Sequence, residues 1–390
     1  MTGVGRWFRF AGGVAGLLIV AALGGYVWAW SSTDESTFAR AVIWRESDVG
    51  DQHRFPARQI PAGARTSPVR PGSEADLVLN GEGNRLDGFL SETDTLAFLV
   101  LHDDRLVYER YFDGATRASL QTSFSAAKSF VSTLVGIAID EGLIESVEDP
   151  VTDYLPELAA RDPRFRQITL RHLLTMSSGI RYREAGFPSL GDDTYTYYGV
   201  DLRDLALNRV RIEGPPGIGW QYNNYHPLLL GLVLERATGT SVSGYMATRL
   251  WQPLGAEAAA TWNLDSERSG FEKMESGLNA RPVDYARFGQ LFLHNGEWNG
   301  RRIVSENWVR AATGAEPTAE SAYYHGYRYF WWLDVNRPGR FYAFGKYGQY
   351  IYVAPDADAV LVRFGRDWGV GTVTWLATFR DLADQLKRRR

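Results

Sequence analysis

The order in which strand-like and helix-like segments follow one another constrains the fold of this 390-residue chain more than any other feature. Leu96-Ala97-Phe98-Leu99-Val100-Leu101 and Leu106-Val107-Tyr108-Glu109-Arg110-Tyr111-Phe112 are rich in β-formers and flank His102-Asp103-Asp104-Arg105, which predicts a hairpin turning at the Asp pair. Four further strand-like runs, over 327–335, 341–344, 350–353 and 360–364, stand near the other end of the chain. Helical spacing fills the interval. A helix is expected from about Ser125 through Val131, Leu134 and Ala138 to Gly142, with others over 170–176, 227–237, 283–293 and 305–312 and a last one over 373–386. Strands at both ends and helices between them predict an α+β fold: one antiparallel sheet built from both ends of the domain, flanked by helices, with a mainly helical region inserted.

The N-terminus adds a second expectation. Residues 10–30 form an uncharged run preceded by Arg6 and Arg9, with Trp7 and Phe8 at one end and Tyr26, Trp28 and Trp30 at the other. About 20 apolar residues between aromatic belts predict an N-terminal transmembrane helix over 1–31, a single-pass membrane anchor. The competing reading is a cleaved signal peptide ending near Ala29-Trp30-Ser31. Both place the rest of the chain in the cell envelope, exported across the inner membrane. Residues 32–90 are polar and rich in Gly, Pro, Asp and Arg, as an extended stalk or wrapping segment would be, with Trp44, Phe55 and Ile60 as points of packing. The remaining 91–390 is read as the functional domain, with its sheet from 91–120 and 325–390 and its helical region over 121–324.

Composition removes whole classes of function. A net charge of -4 supplies no basic field for nucleic acid. Zero cysteines exclude disulfides, thiol catalysis and cysteine-ligated zinc. No metal or cofactor is expected: His102 with the Asp pair reads as a strand end and turn. No G-x-S-x-G or H-E-x-x-H occurs either.

Lysine is the residue that points to chemistry. Lysine and arginine together number 42, yet only Lys128, Lys273, Lys346 and Lys387 are lysines. A guanidinium keeps its proton near neutral pH, whereas burial or a neighbouring cation can strip one from an ammonium. Lys128 closes an S-x-x-K that begins at Ser125, and residues three apart on a helix are neighbours, so the amine can take the serine proton. Ser125 in a first helical turn also brings free backbone N–H groups to a developing oxyanion. Tyr222-Asn223-Asn224 is a Y-x-N at a helix entry, where a phenol can relay a proton and Asn224 can bind a substrate amide. Lys346-Tyr347-Gly348 lies between strands; Gly348 allows close substrate approach, and the Gln349 N–H can complete an oxyanion hole with that of Ser125. Ser305-Glu306-Asn307 is a rival S-x-N whose setting fits a helix N-cap. Tyr182, Tyr195, Tyr197, Tyr198, Tyr323, Tyr324, Phe330, Trp331 and Trp332 are candidates for an acyl pocket, and Asp192 and Asp193 for a substrate amine, against the plainer reading of core and solvated loop.

The three motifs in this order, together with Ile139-Asp140-Glu141-Gly142, Asp149-Pro150-Val151, His172-Leu173-Leu174-Thr175-Met176-Ser177-Ser178-Gly179, Leu250-Trp251-Gln252-Pro253-Leu254-Gly255 and Asp284-Tyr285-Ala286-Arg287-Phe288-Gly289, resemble the serine β-lactamase-like hydrolases. That family includes class C β-lactamases, D,D-peptidases, family VIII carboxylesterases and 6-aminohexanoate-dimer hydrolases. The resemblance covers residues 90 to 385. It implies a β-lactamase/transpeptidase-like fold with no metal and an acyl-serine intermediate, in which Ser125 is the nucleophile, Lys128 its base and Tyr222 the proton shuttle. Asn224, Lys346, Tyr347, Gly348 and Tyr182 are then expected at the substrate.

The third motif departs from the β-lactamase pattern. Tyr347 stands where those enzymes carry a Thr or Ser whose small hydroxyl helps hold the substrate carboxylate. The expected activity is therefore hydrolysis of a small-molecule ester or linear amide, with β-lactam or cell-wall peptide cleavage as the alternative. A non-catalytic envelope protein of the same fold is a further alternative.

Overall fold

The computed structural model describes residues 20–79, 84–185, 191–314 and 326–389. Apolar side chains at even and odd positions of 96–101 require a strand covered on both faces. Such a strand lies inside the main sheet, which comprises β1 (Arg70–Pro71), β2 (Thr95–His102), β3 (Arg105–Tyr111), β4 (Tyr327–Arg328), β5 (Trp331–Leu333), β6 (Phe341–Gly345), β7 (Gln349–Ala354) and β8 (Ala359–Gly365). Their spatial order is β4-β5-β6-β7-β8-β2-β3-β1. Every neighbouring pair is antiparallel except β1, which lies parallel to β3. The β2–β3 turn is made by Asp103 and Asp104 with φ of 49° and 60°, a left-handed conformation that Asp tolerates. The expected single strand over 327–335 is broken in two, because Tyr329 and Phe330 take positive φ (39° and 64°) and bend the chain.

Period-2 alternation then sorts the sheet's side chains into two cores. Ala97, Leu99 and Leu101 join one cluster; Phe98 and Val100 join the other. The helices that frame the site are α1 (Thr37–Trp44), α2 (Ala127–Asp140), α3 (Tyr225–Thr238), α4 (Pro282–Leu293) and α5 (Thr372–Lys387). On one face α4 approaches so closely that a Cβ on Gly289 would sit 2.5 Å from Val360 Cγ1. On the other, Trp375, Phe379 and Leu382 of α5 are buried, and Phe379 stacks on Phe98 at 6.0 Å. Each such side chain contributes about 1.5–3 kcal/mol when fully buried, which is why the sheet is a rigid base for the residues at its ends.

The segment before the sheet wraps the domain. Ala57–Ile60 pairs antiparallel with Ala260–Asn263 in a small second sheet. The α1 helix carries Arg40, fully buried, whose Nη1 donates to Asp265 O (2.5 Å) and Gly199 O (3.3 Å). An N-terminal transmembrane helix, expected over 1–31, is not found: among the described residues no helix is long and apolar enough to cross a membrane. The described part of the apolar run is helical over 20–31. Turns follow it at once, and Arg40 Nε ties Thr33 O to the domain at 2.6 Å. Residues 1–19 lie outside the described residues.

Candidate active site

Ser125 sits in a tight turn, Phe124–Ala126, that leads directly into α2. Phe124 is forced to φ 42°, an uncommon value for a bulky residue. The turn is held from both sides. Ser123 N donates to Leu278 O at 2.8 Å, and the end of β6 presses against it so closely that a Cβ on Gly345 would lie 2.2 Å from Ser123 O and 3.1 Å from Ser125 N. Glycine at 345 is thus a condition for placing the nucleophile. One helical turn on, Lys128 is 1% exposed. Its Nζ lies 3.0 Å from Ser125 Oγ and 3.0 Å from Glu275 O, and 4.8 Å above the centre of the Tyr222 ring. All its directions are taken by these three groups, so the amine is fixed on the serine hydroxyl.

The loop carrying Tyr222 is pinned on each side. Gln221 N donates to Met176 O (2.9 Å), and the fully buried Asn223 donates to Ile180 O (2.9 Å) while accepting from Tyr225 N (2.9 Å). The Tyr222 ring stacks on Trp332 at 6.2 Å and meets Tyr327 edge-on at 6.1 Å. Asn224 Nδ2 donates to the Tyr182 hydroxyl at 2.8 Å, which turns Oδ1 away; that oxygen is buried with no hydrogen-bond partner among the described residues. Tyr182 itself is buried behind Asn224, its hydroxyl 3.2 Å from Thr196 Oγ1, and burial raises its pKa well above the usual tyrosine range. It thereby supports Asn224.

Lys346, Tyr347 and Gly348 form the turn between β6 and β7. Tyr347 and Gly348 both have positive φ (62° and 74°), and a Cβ on Gly348 would lie 2.2 Å from Arg363 Nη1. That arginine donates to Tyr347 O (3.0 Å) and Gly348 O (2.8 Å). Burial pulls its pKa down to about 9. Gln349 closes the turn with its side chain, donating to Lys346 O and Gly365 O at 2.9 Å each. Its register partner is Gly345, so the backbones of Ser125 and Gln349 meet at one corner of the cleft.

The N-terminal segment completes this side. Lys346 Nζ donates to Ser47 Oγ at 2.8 Å, and the Tyr347 hydroxyl donates to Ser47 O at 2.6 Å. Ser125, Asn224, Lys346, Ser47, Glu184 and Asp193 are among the walls of a cavity of about 350 Å3. Lys128, Tyr222, Tyr182, Tyr347, Gly348 and Gln349 stand outside its walls. The Glu184 pKa is raised, first by burial and then by repulsion from Asp193, against which the charge on Lys128 acts.

Lys273, Glu275 and Ser47 escaped the sequence reading of the site. Lys273 is fully buried between the rings of Phe55 (4.5 Å) and Tyr197 (4.4 Å) and pairs with Glu275 Oε1 at 2.9 Å. Burial lowers its pKa, with Glu275 opposing. Glu275 in turn offers its carbonyl to Lys128 and lines the cavity, so Lys273, the second of the four lysines, braces the residue that holds Lys128. The scarcity of lysine was the signal that marked it. Ser47 carried no such signal. Of the aromatic candidates, Tyr197 and Tyr198 line the cavity and Trp332 backs Tyr222, whereas Phe330 and Trp331 belong to the core. Tyr323 and Tyr324 lie outside the described residues. Asp192 accepts from Tyr225 Oη (2.7 Å) and Arg183 N (2.8 Å), and Ser305 caps its helix by accepting from Trp308 N (3.2 Å).

Comparison with known proteins bears on this arrangement. The family model described as Beta-lactamase matches residues 86–375. The 6-aminohexanoate-dimer hydrolase of Paenarthrobacter ureafaciens is 30% identical over 330 residues, which is 77% of this chain and 80% of that protein. The esterase EstB of Burkholderia gladioli is 32% identical over 154 residues, 37% of this chain and 39% of the other. Among solved structures, that of a candidate 6-aminohexanoate-dimer hydrolase from Bacillus anthracis superposes with a TM-score of 0.77 at 26% identity, covering 87% of this chain and 94% of that one.

Proposed function

Because this chain belongs to the Beta-lactamase family and is a serine hydrolase, we propose that its substrate is a small ester or a linear amide bearing an amine, cleaved through an acyl-Ser125 intermediate. In the first half of the cycle Ser125 Oγ attacks the carbonyl carbon while its proton passes to Lys128 Nζ. The backbone N–H groups of Ser125 and Gln349 receive the oxyanion, and Tyr222 relays the proton to the departing amine or alkoxide as the C–N or C–O bond breaks. In the second half a water adds to the acyl carbon and gives a proton to the same groups, which pass it to Ser125 Oγ as the ester bond to Ser125 breaks and the acid leaves.

The observation that carries the substrate class is the double hold of Ser47 on the third motif. The Lys346 ammonium donates to Ser47 Oγ and the Tyr347 hydroxyl to Ser47 O, so the third motif is tied to the N-terminal segment and Tyr347 offers no small free hydroxyl to a substrate carboxylate. On another wall Glu184 and Asp193 repel each other, and a substrate ammonium placed between them relieves that repulsion. The unpartnered Asn224 Oδ1 is an acceptor for the N–H of a linear amide. The relatives named as a 6-aminohexanoate-dimer hydrolase and an esterase agree with this chemistry.

The test is Ser125-dependent turnover of three probes by the full chain: a short-chain p-nitrophenyl ester, the linear dimer of 6-aminohexanoate and a chromogenic cephalosporin. The reading expects ester and linear amide to be hydrolysed and the cephalosporin to be turned over slowly. Preferential turnover of the cephalosporin contradicts it.

A further inference from the structure

The cavity at Ser125 has one wall that the three motifs do not supply. Arg45 and Glu46 line it beside Ser47, on the segment that wraps the domain before the sheet, and all three precede the residues 86–375 matched by the family. The backbone of Arg45 is unusual. It caps α1 by donating its N–H to Ala41 O at 3.1 Å, with φ 61° and ψ -130°, a combination at ease only for glycine. Tyr198 holds the turn in that shape by donating its hydroxyl to Arg45 O at 2.5 Å, and Tyr347 does the same to Ser47 O at 2.6 Å. Glycine would relieve the strain, yet the chain keeps a long cationic side chain here.

The guanidinium of Arg45 is exposed and, among the described residues, makes no hydrogen bond and no ion pair. Its neighbours on the same segment are engaged: Arg40 donates to Thr33 O and Asp265 O, and Arg54 to Asp51 Oδ1. Lys346, joined to this segment through Ser47 Oγ, likewise forms no ion pair among the described residues. The single carboxylate on this side, Glu46, is paired with neither cation, and Glu275 is neutralised by Lys273 at 2.9 Å. The cavity is therefore two-signed by region. Arg45 and Lys346 supply positive charge around Ser47, and Glu184 and Asp193 supply negative charge on another wall.

A linear molecule charged at both ends fits such a cavity. An arginine fork binds a carboxylate through two parallel N–H···O bonds, and it needs no short hydroxyl at position 347 to do so. We propose that Arg45 is a specificity-determining residue that receives a substrate carboxylate at the end opposite the amine, so that the favoured substrates are linear zwitterionic amides. This rests on the reading of the cavity as the site of an amine-bearing amide and adds a second anchor to it. The carboxylate makes the same contact before and during the reaction at Ser125, so Arg45 acts on KM rather than on kcat.

The test compares the linear dimer of 6-aminohexanoate with the same dimer whose carboxylate is converted to a carboxamide, each as a competitor of p-nitrophenyl ester hydrolysis by the full chain. The inhibition constant reads the apparent affinity of a competitor whether or not it is itself cleaved. The parent is expected to bind the free acid about fivefold to tenfold more tightly than the carboxamide. Arg45→Gly, which suits the backbone and removes the fork, should bring that ratio to within about twofold of unity, and Arg45→Lys, which keeps only the charge, should leave an intermediate ratio. Because the ratio is taken within each variant, a general loss of affinity or activity does not imitate the result. Equal binding of acid and carboxamide by the parent, or a preference retained in Arg45→Gly, would overturn the assignment and leave the ester and amide reading intact. Ester hydrolysis that does not depend on Ser125 would remove that reading and this inference with it.

Discussion

Lys128, behind Ser125, and Lys346, in the wall of the cavity at Ser125, are held in place by opposite means. Lys128 reaches Ser125 across 3 residues of one helix start, and its surroundings are core. Lys346 is steadied by Ser47, 299 residues away, on a segment that crosses the domain before the sheet begins. The first arrangement is local and rigid because helix geometry fixes it. The second depends on a wrapping segment fastened by contacts distant in sequence, among them those of Arg40, the Tyr197–Asp51 hydrogen bond and the pairing of Ala57–Ile60. On the proposed reading, chemistry would reside on the side that a short motif can specify, and substrate choice on the side that only the folded chain assembles.

The largest effect that would break this comparison is on the local wall. Ser125→Ala and Lys128→Met are each expected to lower kcat/KM for a p-nitrophenyl ester by at least about 10^3-fold, with unchanged thermal melting for Ser125→Ala. Lys128→Arg should do no better than Lys128→Met, because a guanidinium cannot accept the serine proton. Activity of Lys128→Arg within tenfold of the parent would remove the amine from its role. Tyr222→Phe is expected to cost less, about 10^2-fold in kcat, and to cost more for an amide than for an activated ester, whose leaving group needs no proton.

On the assembled wall the effects should be smaller and of another kind. Tyr347→Phe removes the hydroxyl from Ser47 O, and Ser47→Ala removes the partner of Lys346. For either variant a rise in KM of about threefold to tenfold is expected, with kcat within about twofold, as for a contact made equally in ground and transition states. A loss confined to kcat would show that Ser47 acts on the chemical step and that the two walls are not separate.

The smallest effect is a pH dependence. Glu184 has a raised pKa, so it carries a proton at pH values where an ordinary carboxylate is already charged. Its attraction for a substrate ammonium is absent below that raised pKa and grows as pH increases through it. The KM of an amine-bearing amide should accordingly fall about threefold between pH 5 and 7.5, while that of an uncharged ester does not. Equal pH profiles for the two substrates, or a profile unaltered in Glu184→Gln, would exclude Glu184 as the amine contact.

The same division explains what could be read from the chain beforehand. The antiparallel sheet and the helix after Ser125 follow from local periodicity, and the S-x-x-K geometry follows from helix spacing. Ser47, Arg363 and the Lys273–Glu275 pair do not, because each acts across more than a hundred residues or through a buried contact with no sequence period. Tyr182 was read as a substrate contact from its aromatic character, and its actual place behind Asn224 is set by the packing of a separate loop. The apolar N-terminal run shows the converse failure. Hydropathy alone predicted a membrane span, whereas among the described residues no helix is long and apolar enough to cross a membrane, and the described end of the run is joined by turns to α1.

The central claim is that turnover proceeds through an ester of Ser125 formed with Lys128 as proton acceptor. Mass spectrometry of the full chain quenched during hydrolysis of a p-nitrophenyl ester tests it most directly. The account predicts one acyl group, localised to the peptide containing Ser125 and absent in Ser125→Ala and Lys128→Met. An acyl group on another residue, or full turnover by Ser125→Ala, would contradict it.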